Sequence, residues 1–188
     1  RKISPLIMDQ QAILLGVLSS NCGYCERKCD VNADDAGRSP TVDHFRPLSR
    51  YPRLSYEWSN WIFCCRRCNE DYKRNNWPSF GYVDPCAVAA AERPERYFDY
   101  SHSTGELIPK PRLTQSDMAR ARRTITDLGL NTLDMRINRR RWIDRLISSL
   151  RELPPSEWPT IVAGYTTPSA EYGGIATMFL AQYQQPGR

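Results

Sequence analysis

The chain has no run of 18 or more apolar residues and no charged-then-apolar leader behind Arg1. A membrane-spanning helix and a secretory signal are therefore not expected, and the default location is the cytoplasm. Lysine is scarce, since 22 of the 26 basic residues are arginine, and only two histidines occur, His44 and His102. Imidazole chemistry thus falls on one of two positions. With 40% hydrophobic and 25% charged residues, 5 Trp and 10 Tyr, the composition is that of a folded globular protein. At 188 residues it has room for one core and a small appended lobe. The arginine excess, at a net charge of +5, suits bidentate contacts to phosphate but equally fits a solvated surface.

Seven cysteines stand in a chain without a secretory pattern, and four of them form two Cys-x-x-Cys pairs, Cys22/Cys25 and Cys65/Cys68, 39 residues apart. Such spacing lets two thiolates reach one tetrahedral ion from each tight turn, so a closed four-sulfur structural zinc site is expected rather than disulfides. Gly23 is expected to give the first turn its backbone freedom. Cys29, Cys64 and Cys86 fit neither pair. A closed site has no open coordination position, so any chemistry must happen beside the zinc.

Between the pairs lie two β-prone stretches. Thr41-Val42-Asp43-His44-Phe45 is closed by Arg46-Pro47, and Tyr56 to Phe63 leads into Cys65. Arg67 to Arg74, free of Gly and Pro, can begin a helix. Strand, loop, strand, helix, with Asp43-His44 first, Asn60 in the middle and Cys65-Arg66-Arg67-Cys68-Asn69 with Lys73 last, resembles the ββα-metal core of HNH endonucleases. Cys22-Gly23-Tyr24-Cys25-Glu26-Arg27, Asp43-His44-Phe45-Arg46-Pro47, Tyr51-Pro52-Arg53-Leu54 before Trp58-Ser59-Asn60, and Thr124-Ile125 through Leu128-Gly129-Leu130-Asn131 narrow the likeness to the PtuB-type proteins of Septu and retron-associated antiphage systems.

That resemblance implies hydrolysis of DNA or RNA phosphodiester bonds, with His44 as general base, Asp43 and Asn69 as ligands of a catalytic ion, and Asn60 as the residue that holds the His44 loop. Asn69 stands where the family more often has His, and an amide oxygen favours Mg²⁺ or Mn²⁺ over zinc. In a regular strand Asp43 and His44 point to opposite faces, so both serve one site only if the strand ends or twists there. Arg46, Arg66, Arg67, Lys73 and Arg74 are candidate phosphate contacts. The resemblance also implies a PtuA-type ATPase partner. The four cysteines alone fit equally well a non-catalytic zinc-stabilised binding module or adaptor; a base and a second ligand pair are what such a module does not need.

The expected fold is α+β: a treble-clef-like nuclease core over residues 1–110 and a helical lobe over 111–188 that serves as the docking region. Within these, Met8 to Leu18 reads as a core helix. Residues 95–109 read as a hairpin around Thr104-Gly105, and His102 falls in its turn. Two helices follow, one capped by Thr114 or Ser116 and running to about Leu128, one from Asn131 or Thr132 to about Leu150. In the latter Ile137, Ile143, Leu146, Ile147 and Leu150 are the expected core side, with Arg136, Arg139, Arg140, Arg141 and Arg145 opposite. Pro154-Pro155 ends it, and Pro168 to Tyr183 reads as a last helix interrupted by Gly173-Gly174.

Overall fold

A computed structural model describes residues 21–30, 32, 35–167 and 169–183. The helix expected at Met8 to Leu18 lies outside these. The chain divides into two compact units, Arg1–Trp77 and Pro78–Arg188. The sequence reading set the division at 110; the structure places the hairpin of residues 98–109 in the second unit with the helices.

The described part of the first unit is built around a two-stranded antiparallel ribbon, β1 (Pro40–His44) and β2 (Trp61–Cys65), in the register Pro40↔Cys65 to His44↔Trp61. All five residues of β2 are buried. The strand starts later than the β-prone stretch suggested, because Trp58–Asn60 is wound into a 3₁₀ turn that places Asn60 inside. Helix α1 (Arg67–Lys73) follows at once. It is wound with wide bonds, one of them from Arg74 N to Asn69 O at 2.7 Å, a form that recurs at functional sites.

The two secondary-structure periods match where α1 lies on β1. Thr41 and Asp43 share one face of the strand, two residues apart, and Asn69 and Lys73 share one face of the helix, four apart. The Asn69 amide donates to Thr41 Oγ1 at 3.2 Å, and Lys73 Nζ lies 2.7 Å from Asp43 Oδ2.

In the second unit α2 (Pro94–Tyr97) leads into the hairpin β3 (Phe98–Ser101) and β4 (Glu106–Pro109), followed by α3 (Gln115–Asp127), α4 (Leu133–Glu152), α5 (Trp158–Thr166) and α6 (Gly173–Gln182). Thr114 caps α3 by accepting from Asp117 N. Asn131 is tied to β4, accepting from Leu107 N at 3.0 Å and donating to Leu107 O at 2.8 Å. Gly105 has φ +76°, and a Cβ there would fall 2.4 Å from Arg136 O, so turn and helix meet through a residue without a side chain.

The stripe on α4 differs from the expected one. Met135, Arg139, Ile143, Leu146 and Leu150 are buried, and Ile137 is exposed. Arg139 is inside because Asn131 Oδ1 accepts from its Nη1 at 3.3 Å, which offsets part of the cost of desolvating a guanidinium. α5 was not anticipated. Gly173-Gly174 starts α6 rather than interrupting it: Tyr172 takes the left-handed conformation, and a Cβ on Gly173 would sit 2.8 Å from Thr167 O. Among the described residues no helix is long and apolar enough to cross a membrane.

Candidate active site and metal staple

The sulfurs of Cys22, Cys25, Cys65 and Cys68 all lie within 4.8 Å of one another and are buried. Four thiols converging at the vertices of one small volume fit a tetrahedral zinc ion, whose Zn–S bonds are about 2.3 Å. Local backbone geometry sets the first pair: Cys22 N donates to Arg27 O and Glu26 N to Cys22 O, both at 2.8 Å, while Cys25 N points at Cys22 Sγ. The positive φ this turn needs falls on Glu26. Gly23 has a different reason from the one expected. A Cβ there would lie 2.9 Å from Ile62 and 3.1 Å from Phe63 O, and its N–H bonds to that same carbonyl, so it is the close approach to β2 that requires glycine.

The remaining cysteines stay outside the cluster. Strand alternation turns Cys64 away from Cys65, toward Thr41 Oγ1 at 3.5 Å, and burial pushes its thiol pKa far up. Burial also raises Cys29, to about 12. Cys86 is exposed.

Beside the staple a cleft of about 440 Å³ is lined by Val42, Asp43, His44, Pro47, Leu48, Asn69, Glu70, Arg74 and Asn75. It brings Asp43, His44 and Asn69 together. The difficulty of strand alternation is met because β1 ends at His44, where the ladder stops and the chain turns toward Pro47.

Each side chain is held by a separate contact. His44 Nε2 lies 3.2 Å from Ser55 O. A carbonyl only accepts, so in the neutral ring the proton sits on Nε2 and Nδ1 is the acceptor. Asn60 does not touch His44. Its Oδ1 accepts from Arg46 N at 2.8 Å and its Nδ2 donates to Arg46 O at 3.1 Å, with a further bond to Leu54 O, so it clamps both ends of the loop that carries Ser55. Asn69 spends its amide N–H on Thr41 Oγ1 and Val42 O, which leaves Oδ1 as the acceptor.

Asp43 is almost wholly buried and takes two donors on one oxygen. The Tyr24 hydroxyl donates to Oδ2 at 2.5 Å and Lys73 Nζ approaches it at 2.7 Å. Burial raises the Asp43 pKa against the pull of both donors. Oδ1 remains for a cation, and a carboxylate oxygen with an amide oxygen is the hard donor set that Mg²⁺ or Mn²⁺ prefers. Tyr24 was not read as a site residue, and Lys73 was expected only as a phosphate contact. Each is tied to one cysteine pair, Tyr24 between Cys22 and Cys25 and Lys73 on the helix that carries Cys68, so both halves of the staple brace the same carboxylate.

Of the expected phosphate contacts, Lys73 is excluded as one: it is 0% exposed, and its ammonium is spent on Asp43 and on His44 O at 3.0 Å. Arg74 lines the cleft, with Nε on Glu70 O at 3.0 Å. Arg46 is exposed with its guanidinium over Tyr51, Arg66 pairs with Glu70 at 2.8 Å, and Arg67 lies over Tyr72. His102 falls in the hairpin turn of the second unit, with Nε2 3.2 Å from Asp144 Oδ1.

Residues 22–75 match the family model of HNH endonucleases, so the chain carries an HNH-type domain that begins at the first cysteine and ends just past α1. A Septu protein PtuB of Bacillus thuringiensis is 36% identical over 56 residues, covering 30% of this chain and 20% of that protein. A second Septu protein PtuB, from Bacillus mycoides (strain KBAB4), is 29% identical over 79 residues, covering 35% of this chain and 25% of that protein. The chain thus matches a quarter or less of the length of these relatives.

Proposed function

We propose that the first unit is a metal-dependent nuclease that hydrolyses nucleic-acid phosphodiester bonds, with the four-cysteine zinc as scaffold. The observation that carries this reading is the convergence of His44, Asp43 and Asn69 on one cleft, with His44 Nε2 tied to the Ser55 carbonyl so that Nδ1 is the acceptor of the neutral ring. An adaptor with no chemistry to perform has no use for that arrangement.

Asp43 Oδ1 and Asn69 Oδ1 would hold one divalent ion, Mg²⁺ or Mn²⁺, which supplies Lewis-acid stabilisation of charge on the scissile phosphate and the departing oxygen. His44 Nδ1 takes a proton from water as the resulting hydroxide attacks phosphorus and the bond to the departing oxygen breaks. The Ser55 carbonyl stabilises the imidazolium that forms, because its bond to Nε2–H strengthens as the ring gains charge. Asn60 contributes by fixing the loop and not by proton transfer. Arg74, which lines the cleft, and Arg46, Arg66 and Arg67 are the proposed contacts to flanking phosphates.

By analogy with the Septu proteins PtuB, the chain is the nuclease effector of an antiphage system that works beside a PtuA-type ATPase in the cytoplasm, and the helical part beyond residue 110 is the docking region. The test is cleavage of labelled DNA and RNA panels in Mg²⁺ or Mn²⁺, with and without the ATPase, by the unaltered chain and by His44→Ala. A base of this kind contributes about 10²- to 10⁴-fold, so His44→Ala should lose cleavage by that factor while retaining zinc. Equal cleavage by the two proteins overturns the mechanism. Zinc retention with no cleavage under any condition favours the non-catalytic adaptor.

A further inference from the structure

Two large aromatic rings stand in solvent: Tyr56 is 77% exposed and Trp58 is 53% exposed. They belong to the loop between β1 and β2 that carries Ser55. The turn Trp58–Asn60 points Asn60 inward to its clamp and leaves Trp58 outward. Trp58 is nevertheless held, since its ring lies 6.0 Å from that of Trp61 at an interplanar angle of 38°. Trp61 is fixed in turn by a bond from Nε1 to Ser55 O at 3.1 Å, the same carbonyl that orients His44, and its ring meets the His44 ring edge-on at 6.0 Å. An exposed indole is thus mounted rigidly, one buried tryptophan away from the proposed base.

We infer that Trp58, with Tyr56, is a base-stacking platform, and that the preferred substrate carries unpaired bases next to the scissile phosphate. This rests on the nuclease reading. Inside a duplex both faces of each base are already stacked, so a solvent-facing indole gains nothing from intact double helix; an unpaired base offers a free face at the same distance from its own phosphate. The surroundings favour nucleic acid over a protein surface. Arg46 and Arg53 are exposed on the same loop, the rings stand singly rather than within a broad apolar patch, and a single ring, that of Trp61, separates Trp58 from the proposed base His44.

Binding is measured on the full zinc-loaded chain carrying His44→Ala, so that substrate is not consumed, against a short single-stranded oligonucleotide containing 2-aminopurine and against its duplex. Adding Trp58→Ala should weaken single-strand binding about 5- to 150-fold, abolish quenching of the 2-aminopurine, and leave duplex binding within twofold. Trp58→Phe should restore most of the difference. A uniform loss on both substrates, or no loss on either, overturns the platform. So does a Trp58→Ala chain that binds nucleic acid normally but no longer pulls down the partner ATPase, since the ring would then be a protein contact. Failure of the nuclease reading is separately visible, as an unaltered zinc-loaded chain that cleaves under no condition while the ratio of single-strand to duplex binding still answers for Trp58.

Discussion

Lys73 Nζ and Asp43 Oδ2 lie 2.7 Å apart with essentially no solvent at either side chain, an ion pair sealed beneath the cleft. A buried pair of this kind is costly to break, because removing one member strands the other charge in a poor solvent. Lys73→Met should therefore destabilise the first unit by about 3–5 kcal/mol, and Lys73→Met with Asp43→Asn should recover part of that loss. Urea unfolding followed by tryptophan fluorescence measures both. The salt dependence of nucleic-acid binding should not change in Lys73→Met, whereas Arg74→Ala should lower the slope by about 0.7 to 0.9. A reduced slope for Lys73→Met would return it to the phosphate contacts.

Asn60 is expected to act on rate through position. Replacing it with Ala leaves Arg46 N without its acceptor and frees the Ser55 carbonyl to drift from His44. The expected cost is about 1–3 kcal/mol of stability for the stranded backbone group, together with a fall in kcat at little change in KM. Since Asn60→Asp keeps the acceptor toward Arg46 N, it should fall between Ala and the native residue. Steady-state cleavage and thermal melting of the three proteins check this. A pure KM effect would place Asn60 in substrate binding instead.

The parts of this site that could be read in advance were those whose spacing is set by chemistry. Two Cys-x-x-Cys pairs suit a four-sulfur cluster, and the family resemblance picked out Asp43-His44 and Asn69, which line one cleft, and Asn60, which clamps the loop beside it. What escaped were contacts decided by packing across elements. Lys73 looks like any surface lysine until α1 is laid on β1 and its fourth-residue spacing from Asn69 matches the two-residue spacing of Thr41 and Asp43. Tyr24 is hidden among zinc ligands for the same reason. Arg139 on α4 was set on the solvent face because nothing local announces Asn131 as its acceptor, and Gly23 was given a conformational role when it serves an approach to β2 that only the folded ribbon creates.

Zinc removal should expose thiols in a fixed order. In the metal-loaded chain Cys86 is the exposed thiol, while burial keeps the Cys29 and Cys64 thiols protonated and slow. Brief alkylation at neutral pH should label Cys86 alone among the described cysteines, and prior treatment with a strong chelator should add Cys22, Cys25, Cys65 and Cys68 as the first unit loosens. Acid should mimic the chelator, because protons compete with the ion for thiolate. Mass spectrometry of the labelled peptides decides it, and labelling of the four cysteines at full zinc occupancy would remove the staple.

In the proposed nuclease, position 69 should set which metal supports cleavage. The Asn69 amide N–H groups are anchored on Thr41 and Val42, so the oxygen is offered at a fixed place, and it is a hard donor. Asn69→His replaces it with a softer imidazole and loses the anchor to Thr41. Activity in Mg²⁺ should fall steeply, and activity in Mn²⁺ or Co²⁺ should fall less, so the Mn²⁺-to-Mg²⁺ ratio of rates rises about tenfold or more. A drop in all metals by one common factor would mean that residue 69 holds β1 to α1 without touching the ion. Asp43 would then be the sole protein ligand among these residues, and the amide of Asn69 a brace for the strand that presents it.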